Sequence, residues 1–137
     1  MSLTKEEIQT LLDRSPFISF LNMEVKEVSA EAQTITIRTP MRPEFERGAG
    51  TGQWHGGPIA AIIDTVGDYA LAMGLRRGLP TVNFRVDYLR PAVKTKLIIT
   101  AVVRRAGKSV GVVDVDVFNE QKALLAIGRA TYSTLGG

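Results

Sequence analysis

The sequence predicts an α+β domain in which one long helix packs across an antiparallel sheet. The residues from Gly56 to Leu75 form a mostly apolar segment that is followed by cations, Gly78 and Pro80, as the end of a helix often is. Two strand-like segments precede this helix and four follow it, most of them joined by short turns. There are too many strands and too few helices for a doubly wound parallel sheet. The 137 residues are enough for one domain over 1–137.

The composition is that of an ordinary globular protein and excludes several classes of function. The chain is 45% hydrophobic and 23% charged, with a mild formal net charge of +3. No run approaches the ~18 apolar residues of a membrane span, and the acidic N-terminal segment does not resemble a signal peptide. The chain has no cysteine, which excludes disulfides, thiolate catalysis and cysteine–zinc sites. We expect a cytoplasmic protein without membrane or nucleic-acid partners.

The segments before the long helix predict a short helix, two strands and a loop. Thr4 and Glu7 have the spacing of a capping box, so a helix begins there and ends near Pro16. The stretch "MEVKEVSAEAQTITIRTP" alternates as two strands across a Ser29–Glu31 turn and stops at Pro40. The glycine-rich loop "RPEFERGAGTGQW" is long for a connection without structure of its own, and such loops are often functional.

The segments after the long helix predict strands only. In "TVNFRVDYLRP" the apolar residues Val82, Phe84, Val86 and Tyr88 share one face. The stretches "KLIITAVVRR", "SVGVVDVDVF" and "ALLAIGRATYS" follow, separated by short turns at "AGK" and "NEQK". These four strands supply most of the sheet.

The long helix has two different faces. At ~100° per residue, one face is large and apolar and should pack on the sheet: Ile59, Ile62, Ile63, Val66, Tyr69, Ala70 and Met73. Asp64 lies on the other face, among small residues such as Ala60, Ala61 and Gly67, together with Asp68, Leu71 and Ala72. A solvated face would carry Lys and Glu instead. We therefore expect the Asp64 side to meet a partner subunit or a substrate channel.

Asp64 and Asp68 lie one helical turn apart, which allows two interpretations. They are either two solvated carboxylates that slightly destabilise the helix, or a desolvated pair. A desolvated carboxylate beside a second one has a raised pKa and suits general-base or nucleophilic work.

The start of the helix, His55-Gly56-Gly57-Pro58, also allows two interpretations. Proline fits the first turn, where its missing N–H is not needed, and the glycines leave backbone amides open to close approach. Such amides stabilise the oxyanion formed when a carbonyl is attacked. The alternative is a glycine turn with His55 as an ordinary polar residue.

The stretch "HGGPIAAIIDTVGDYA" resembles the signature of hotdog-fold acyl-CoA thioesterases of the phenylacetate-degradation type. In that family H-G-G begins the central helix and a catalytic acid follows nine positions after the His, the spacing of His55 and Asp64. The stretch "TVNFRVDYLRPA" at 81–92 is similar to the family's next strand. The resemblance implies a hotdog fold, an antiparallel sheet wrapped around the central helix.

The resemblance also implies a mechanism that needs no metal or organic cofactor. Asp64 would be the general base for water or the nucleophile, and the amide of Gly56, with that of Gly57, would polarise the thioester carbonyl of an acyl-CoA. Thr81 would hold the water, and His55 would bond near the carbonyl or only fix the turn. The family is at least dimeric, with the site between subunits, so we expect a homo-oligomer, a dimer or a tetramer of dimers.

Other residues are candidates for substrate binding. The cations Arg90, Arg104, Arg105 and Lys108 either line a groove for the coenzyme A phosphates or are ordinary solvated residues at strand ends. Trp54 either borders the acyl pocket or only packs in the core. Many family members have Asn six positions before the His, where this chain has Ala49. Either Gln53 takes over that function or the site lacks one polar group.

Two other functions compete with hydrolysis. A hotdog hydratase or dehydratase needs a His and a carboxylate acting together on a β-hydroxyacyl chain, whereas His55 precedes the helix. A non-catalytic acyl-CoA-binding protein would not need Gly56, Asp64 and Thr81 together. These three residues favour hydrolysis.

Overall fold

The computed structural model describes residues 1–136 and confirms the α+β class. Its helices are α1 (Lys5–Arg14), α2 (Pro16–Leu21) and α3 (Gly56–Leu75), and Pro43–Phe45 forms one turn of 3₁₀ helix. Its strands are β1 (Glu24–Ser29), β2 (Thr34–Thr39), β3 (Thr81–Tyr88), β4 (Leu97–Ala106), β5 (Val110–Phe118) and β6 (Leu124–Ser133). The long helix and all six predicted strands are present close to their expected ends.

The six strands form one antiparallel sheet in the order β1-β2-β4-β5-β6-β3. The chain leaves β2, passes through α3 and returns as β3 at the far edge of the sheet, where β3 pairs with β6. This connection carries α3 across the sheet, where it contacts every strand from β2 to β6. The sheet therefore wraps around the central helix, and β1 and β3 are its two edges.

The core lies between α3 and the concave face of the sheet. All seven residues predicted to form the apolar face of α3 are buried, from Ile59 to Met73. By length and composition α3 is apolar enough to cross a membrane, contrary to our interpretation of the sequence, but 61% of its most apolar window is buried inside the protein. Its position at the centre of the sheet accounts for its apolar composition.

The opposite face of α3 is less open than predicted. A Cβ on Gly67 would lie 2.5 Å from the hydroxyl oxygen of Tyr132 on β6, and a Cβ on Gly111 of β5 would lie 2.6 Å from the side chain of Leu71. Glycine at these positions lets helix and sheet approach closely, because any side chain would collide there. Part of the small-residue face thus packs against the chain's own sheet, and the part around Asp64 stays half-buried.

The N-terminal segment forms two helices instead of one. The predicted capping box is present: Thr4 Oγ1 accepts from the Glu7 N–H at 3.1 Å, and the Thr4 N–H donates to Glu7 Oε1 at 3.0 Å. Pro16 ends α1 as expected but also begins α2, which the sequence prediction missed. Proline suits a first helical position because its φ is already helical and its missing N–H has no partner there.

The glycine-rich loop has a structure of its own. Glu46 pairs with Trp54 across it, and the Glu46 carboxylate accepts from the N–H groups of Gly50 at 3.2 Å and Gly52 at 2.6 Å. Both glycines have positive φ, of 79° and 69°, which other residues rarely adopt. We call this segment, closed by the Glu46–Trp54 pair, the closed loop. It fixes the position from which the chain enters α3, since the His55 N–H donates to the Phe45 carbonyl at 2.7 Å.

Candidate active site

The first turn of α3 presents one available backbone amide. His55 is the N-cap, and its Nδ1 accepts from the Gly57 N–H at 2.9 Å. Pro58 has no N–H, and among residues 1–136 no group accepts from the Gly56 N–H. Of the two glycine amides predicted to bind a carbonyl, Gly56 is therefore available and Gly57 is used by the cap.

His55 fixes the start of the helix in this structure, and its other predicted role, a bond near the substrate carbonyl, stays a prediction. A neutral imidazole that accepts at Nδ1 carries its proton on Nε2, and this arrangement fixes the helix start. The ring is exposed at the rim of a cleft beside Gly56. We call this the Gly56 cleft; it has a volume of about 360 Å³ and is lined by residues of the closed loop, the first turn of α3 and the segment 88–92.

Tyr88 holds the Gly56 cleft together, because its hydroxyl donates to the Gly56 carbonyl at 2.6 Å. Arg47, Gln53 and Arg90 also line the cleft. Trp54 touches it but is only 3% exposed, and its indole N–H donates to the Thr95 carbonyl at 2.9 Å. Trp54 thus packs in the core, and its predicted contact with an acyl group stays a prediction.

Gln53 and Ala49 have different positions relative to this cleft. Ala49 is exposed at the tip of the closed loop, whereas Gln53 is half-buried in the wall of the Gly56 cleft. Of the two alternatives left open by the sequence, this arrangement favours Gln53 as the polar side chain near Gly56.

Asp64 lies in a second cavity, which we call the Asp64 groove. The groove has a volume of about 580 Å³ and runs between α2, α3 and the turn before β3. Thr81 donates its hydroxyl to Asp64 Oδ1 at 2.8 Å, and among residues 1–136 no group donates to Oδ2. Thr81 therefore contacts the carboxylate directly, and the second carboxylate oxygen remains available to a water molecule or a substrate.

The backbone at Asp64 is fixed by a residue that the sequence analysis missed. Tyr132 of β6 donates its hydroxyl to the Asp64 carbonyl at 2.6 Å. Burial raises the pKa of this tyrosine well above its usual value, so the hydroxyl keeps its proton and can donate. The feature of the sequence that could have indicated this contact is Gly67. It is a glycine in the middle of a helix, and its missing Cβ leaves room for the tyrosine ring.

Asp68 has the raised pKa that is expected of a desolvated acid. Burial raises the pKa of Asp68 to about 7, the hydrogen bond from the Leu79 N–H partly opposes that rise, and the nearby charge of Asp64 adds to it. Asp68 Oδ1 accepts from the Leu79 N–H at 2.9 Å. The interpretation of two fully solvated carboxylates is therefore wrong for Asp68, which is half-buried in the Asp64 groove.

The two centres lie far apart within one chain. Gly56 and Asp64 are separated by eight residues of α3, or about 12 Å along the helix axis at 1.5 Å per residue. One thioester carbonyl cannot contact both at once. Gly56 and Asp64 of one chain thus line two separate cavities.

The predicted phosphate-binding cations are not brought together. Arg90 lies in the Gly56 cleft, whereas Arg104 lies on the outer face of the sheet, 3.5 Å from the Asp114 carboxylate. Arg105 and Lys108 are exposed at the β4–β5 hairpin. A third cavity, of about 610 Å³, surrounds Asp114 on that outer face, away from α3. Among residues 1–136, no three His, Asp or Glu side chains come close enough to hold a metal ion.

Comparison with known proteins identifies relatives of the whole chain. Residues 51–126 match the family model described as "Thioesterase superfamily". The medium/long-chain acyl-CoA thioesterase YigI of Escherichia coli is 31% identical, over 85% of this chain and 84% of its own. A crystal structure of a protein from the thioesterase superfamily superposes with a TM-score of 0.87 at 32% identity, covering 94% of this chain and 96% of that one. The Escherichia coli PaaI protein has a TM-score of 0.79 at 24% identity, covering 96% and 93%, and confirms the hotdog fold.

Proposed function

The chain belongs to the thioesterase superfamily, and we propose that its hydrolytic centre is shared between two copies, with Asp64 of one facing the Gly56 amide of the other. It is a thioester hydrolase, and its activity at the level of the family is the hydrolysis of acyl-CoA to a free acid and CoA. The observation that carries the proposal is the Thr81–Asp64 hydrogen bond in a groove, with an available amide at the start of the same helix.

Asp64 activates the attack on the thioester. As a general base, it takes a proton through Oδ2 from a water whose oxygen bonds to the carbonyl carbon; as a nucleophile, it bonds to that carbon itself and water then hydrolyses the resulting anhydride. In both routes the carbonyl oxygen becomes negative and accepts from the Gly56 N–H. The C–S bond then breaks and CoA leaves as a thiolate that takes up a proton. Thr81 keeps the carboxylate in one orientation by donating to Oδ1.

The geometry of β3 supports a site formed by two copies. Thr81, at the start of β3, bonds to Asp64, and Tyr88, at its end, bonds to Gly56. If β3 pairs with its own copy in antiparallel fashion, the start of each strand lies beside the end of the other. Asp64 of each copy then lies beside Gly56 of its partner. One carbonyl can contact both residues there, although within one chain they lie about 12 Å apart.

The surface of β3 supports the same pairing. β3 is an edge strand, and its apolar residues Val82, Phe84 and Tyr88 are 60%, 37% and 52% exposed. An edge strand with exposed apolar side chains is a template for pairing with another strand. A second copy would cover these residues and continue the sheet.

The charges of the two cavities suggest how acyl-CoA lies between them. The Gly56 cleft contains Arg47 and Arg90, which suit the phosphates of CoA, and the Asp64 groove contains carboxylates and the apolar Phe17, Ile18 and Leu79. We place CoA along the cleft and the acyl group in the groove. The name of YigI, a medium/long-chain acyl-CoA thioesterase, supports an acyl chain of that kind for this protein too.

The hydratase alternative is disfavoured by His55. That reaction needs a His and a carboxylate at one substrate, and here Nδ1 of His55 accepts the Gly57 N–H at the helix start. The ring thus has a structural partner in place of a catalytic one.

The first test replaces the acid. Asp64→Asn should lower kcat by a factor on the order of 10² to 10⁴ with little change in KM, because only the basic lone pair is lost. Release of the CoA thiol is measured over a panel of acyl-CoAs, with Asp116→Asn, an exposed aspartate on β5, as the control. A folded Asp64→Asn protein with near wild-type turnover refutes the mechanism.

The second test removes the amide and asks which chain supplies it. Gly56→Pro lacks the N–H, and proline fits this first helical position, while Gly56→Ala adds a Cβ near Tyr88 but keeps the N–H. We expect proline to reduce kcat much more than alanine does. In an equal mixture of Asp64→Asn and Gly56→Pro chains, half of the dimers are mixed and carry one intact site of two, so about a quarter of wild-type activity should return. No recovery after subunit exchange contradicts the shared site.

A further inference from the structure

The turn between α3 and β3 determines whether Thr81 reaches Asp64. α3 ends at Leu75, and the next residue, Arg76, caps it with a φ of 61° and donates its N–H to the Ala72 carbonyl at 2.6 Å. After the next two residues the chain reaches Leu79, which is 5% exposed. The Leu79 N–H donates to Asp68 Oδ1 at 2.9 Å, across eleven residues of sequence.

We propose that Asp68 is a positioning residue for the reaction: by accepting the Leu79 N–H it holds the start of β3 so that the Thr81 hydroxyl reaches Asp64. This inference rests on the proposed function of Asp64. Asp68 is not itself a catalytic residue, because it acts through Thr81.

The chain between Leu79 and Thr81 is short and stiff enough to transmit the constraint. The intervening residue is Pro80, whose ring fixes φ near −65°. The Pro80 carbonyl also accepts from the Ser133 N–H of β6 at 2.9 Å. A hydrogen bond to the sheet through Pro80 and another to the helix through Asp68 therefore help to hold this turn.

The proposed role depends on a hydrogen-bond acceptor and not on a charge. Burial raises the pKa of Asp68 to about 7, so near neutral pH the neutral acid is well populated. A neutral carboxyl still accepts through its carbonyl oxygen, and the amide of asparagine offers the same acceptor. Leucine branches at the same carbon but is larger, alanine is smaller, and neither offers an acceptor.

The test compares variants of Asp68 that differ in hydrogen-bond acceptor, side-chain volume and charge. We expect Asp68→Leu and Asp68→Ala to lower kcat by roughly 10- to 100-fold with KM nearly unchanged, since a displacement of about 1 Å can cost up to 10²-fold. Asp68→Asn should restore most of the turnover. In a Thr81→Val background, Asp68→Leu should lower kcat little further, because the hydroxyl that Asp68 positions is already absent.

Each outcome decides the proposal. A further loss in the Thr81→Val background as large as in wild type overturns it, and so does an Asp68→Asn variant as slow as Asp68→Leu. If neither Leu nor Ala yields a folded protein by circular dichroism while Asn does, Asp68 serves global stability and the proposal is wrong. An active Asp64→Asn protein, by contrast, refutes the proposed function, while the Asp68 variants test only the positioning.

Discussion

The free energy of unfolding should depend on pH through Asp68. Burial raises its pKa from 3.8 to about 7 in the folded protein, so the folded state holds this proton more tightly than the unfolded state does. The contribution of Asp68 to stability is therefore complete below about pH 4 and is lost as pH rises to about 7. One pKa unit corresponds to about 1.4 kcal/mol, so at most about 4 kcal/mol is lost; we expect about 2 to 4 kcal/mol because Asp68 is only half-buried.

Asp68→Asn should remove this dependence while it keeps the acceptor for the Leu79 N–H. Urea unfolding at fixed protein concentration between about pH 4 and pH 8 measures the difference between variant and wild type. The two should be similar near pH 4, and the variant should be the more stable above pH 7. Asp116→Asn should follow the wild type throughout. A constant difference between Asp68→Asn and wild type over this range refutes the reasoning.

Two further predictions concern assembly and packing. Phe84→Glu should shift the protein from dimer to monomer and abolish activity, because it places like charges on a strand that pairs with its own copy. Lys26→Glu on the opposite edge strand is the control. An unchanged mass of the Phe84→Glu protein by sedimentation contradicts the proposed pairing. Gly67→Ala should destabilise the protein by about 1 to 3 kcal/mol, because its Cβ would lie 2.5 Å from the Tyr132 hydroxyl. Gly74→Ala, whose added Cβ would have no atom within 4 Å, should stabilise the protein slightly. Equal melting temperatures for the two variants exclude this account.

The fold was predictable because its signals are local. The alternation of apolar residues marked all six strands, and the apolar face of α3 was assigned correctly from Ile59 to Met73. The capping box at Thr4 marked the start of α1. α2 was missed because Pro16 both ends one helix and begins the next, and the rule for prolines after helices describes only the first effect.

The site was predictable only in part, because its contacts cross long distances in sequence. The spacing of Gly56 and Asp64 was visible along one helix, but the link from Tyr132 to the Asp64 carbonyl spans 68 residues. The raised pKa of Asp68 was also not visible, because it depends on the burial of this side chain beside the turn at Leu79. The function of the four predicted cations stays a prediction, since Arg90 alone of these four lies in a cleft near α3.

The same burial that makes α3 a core helix explains why we propose a site shared with a second chain. Because the sheet contacts α3 from β2 to β6, polar groups on the helix reach the surface at only a few places, among them the first turn and the region around Asp64. A rigid helix keeps these two places about 12 Å apart, and no movement of side chains closes that distance. β3 runs beside both places and ends the sheet with exposed apolar residues, so a copy of β3 is the element that fits this edge. In the proposed two-fold pairing, one contact between the two copies completes two identical sites.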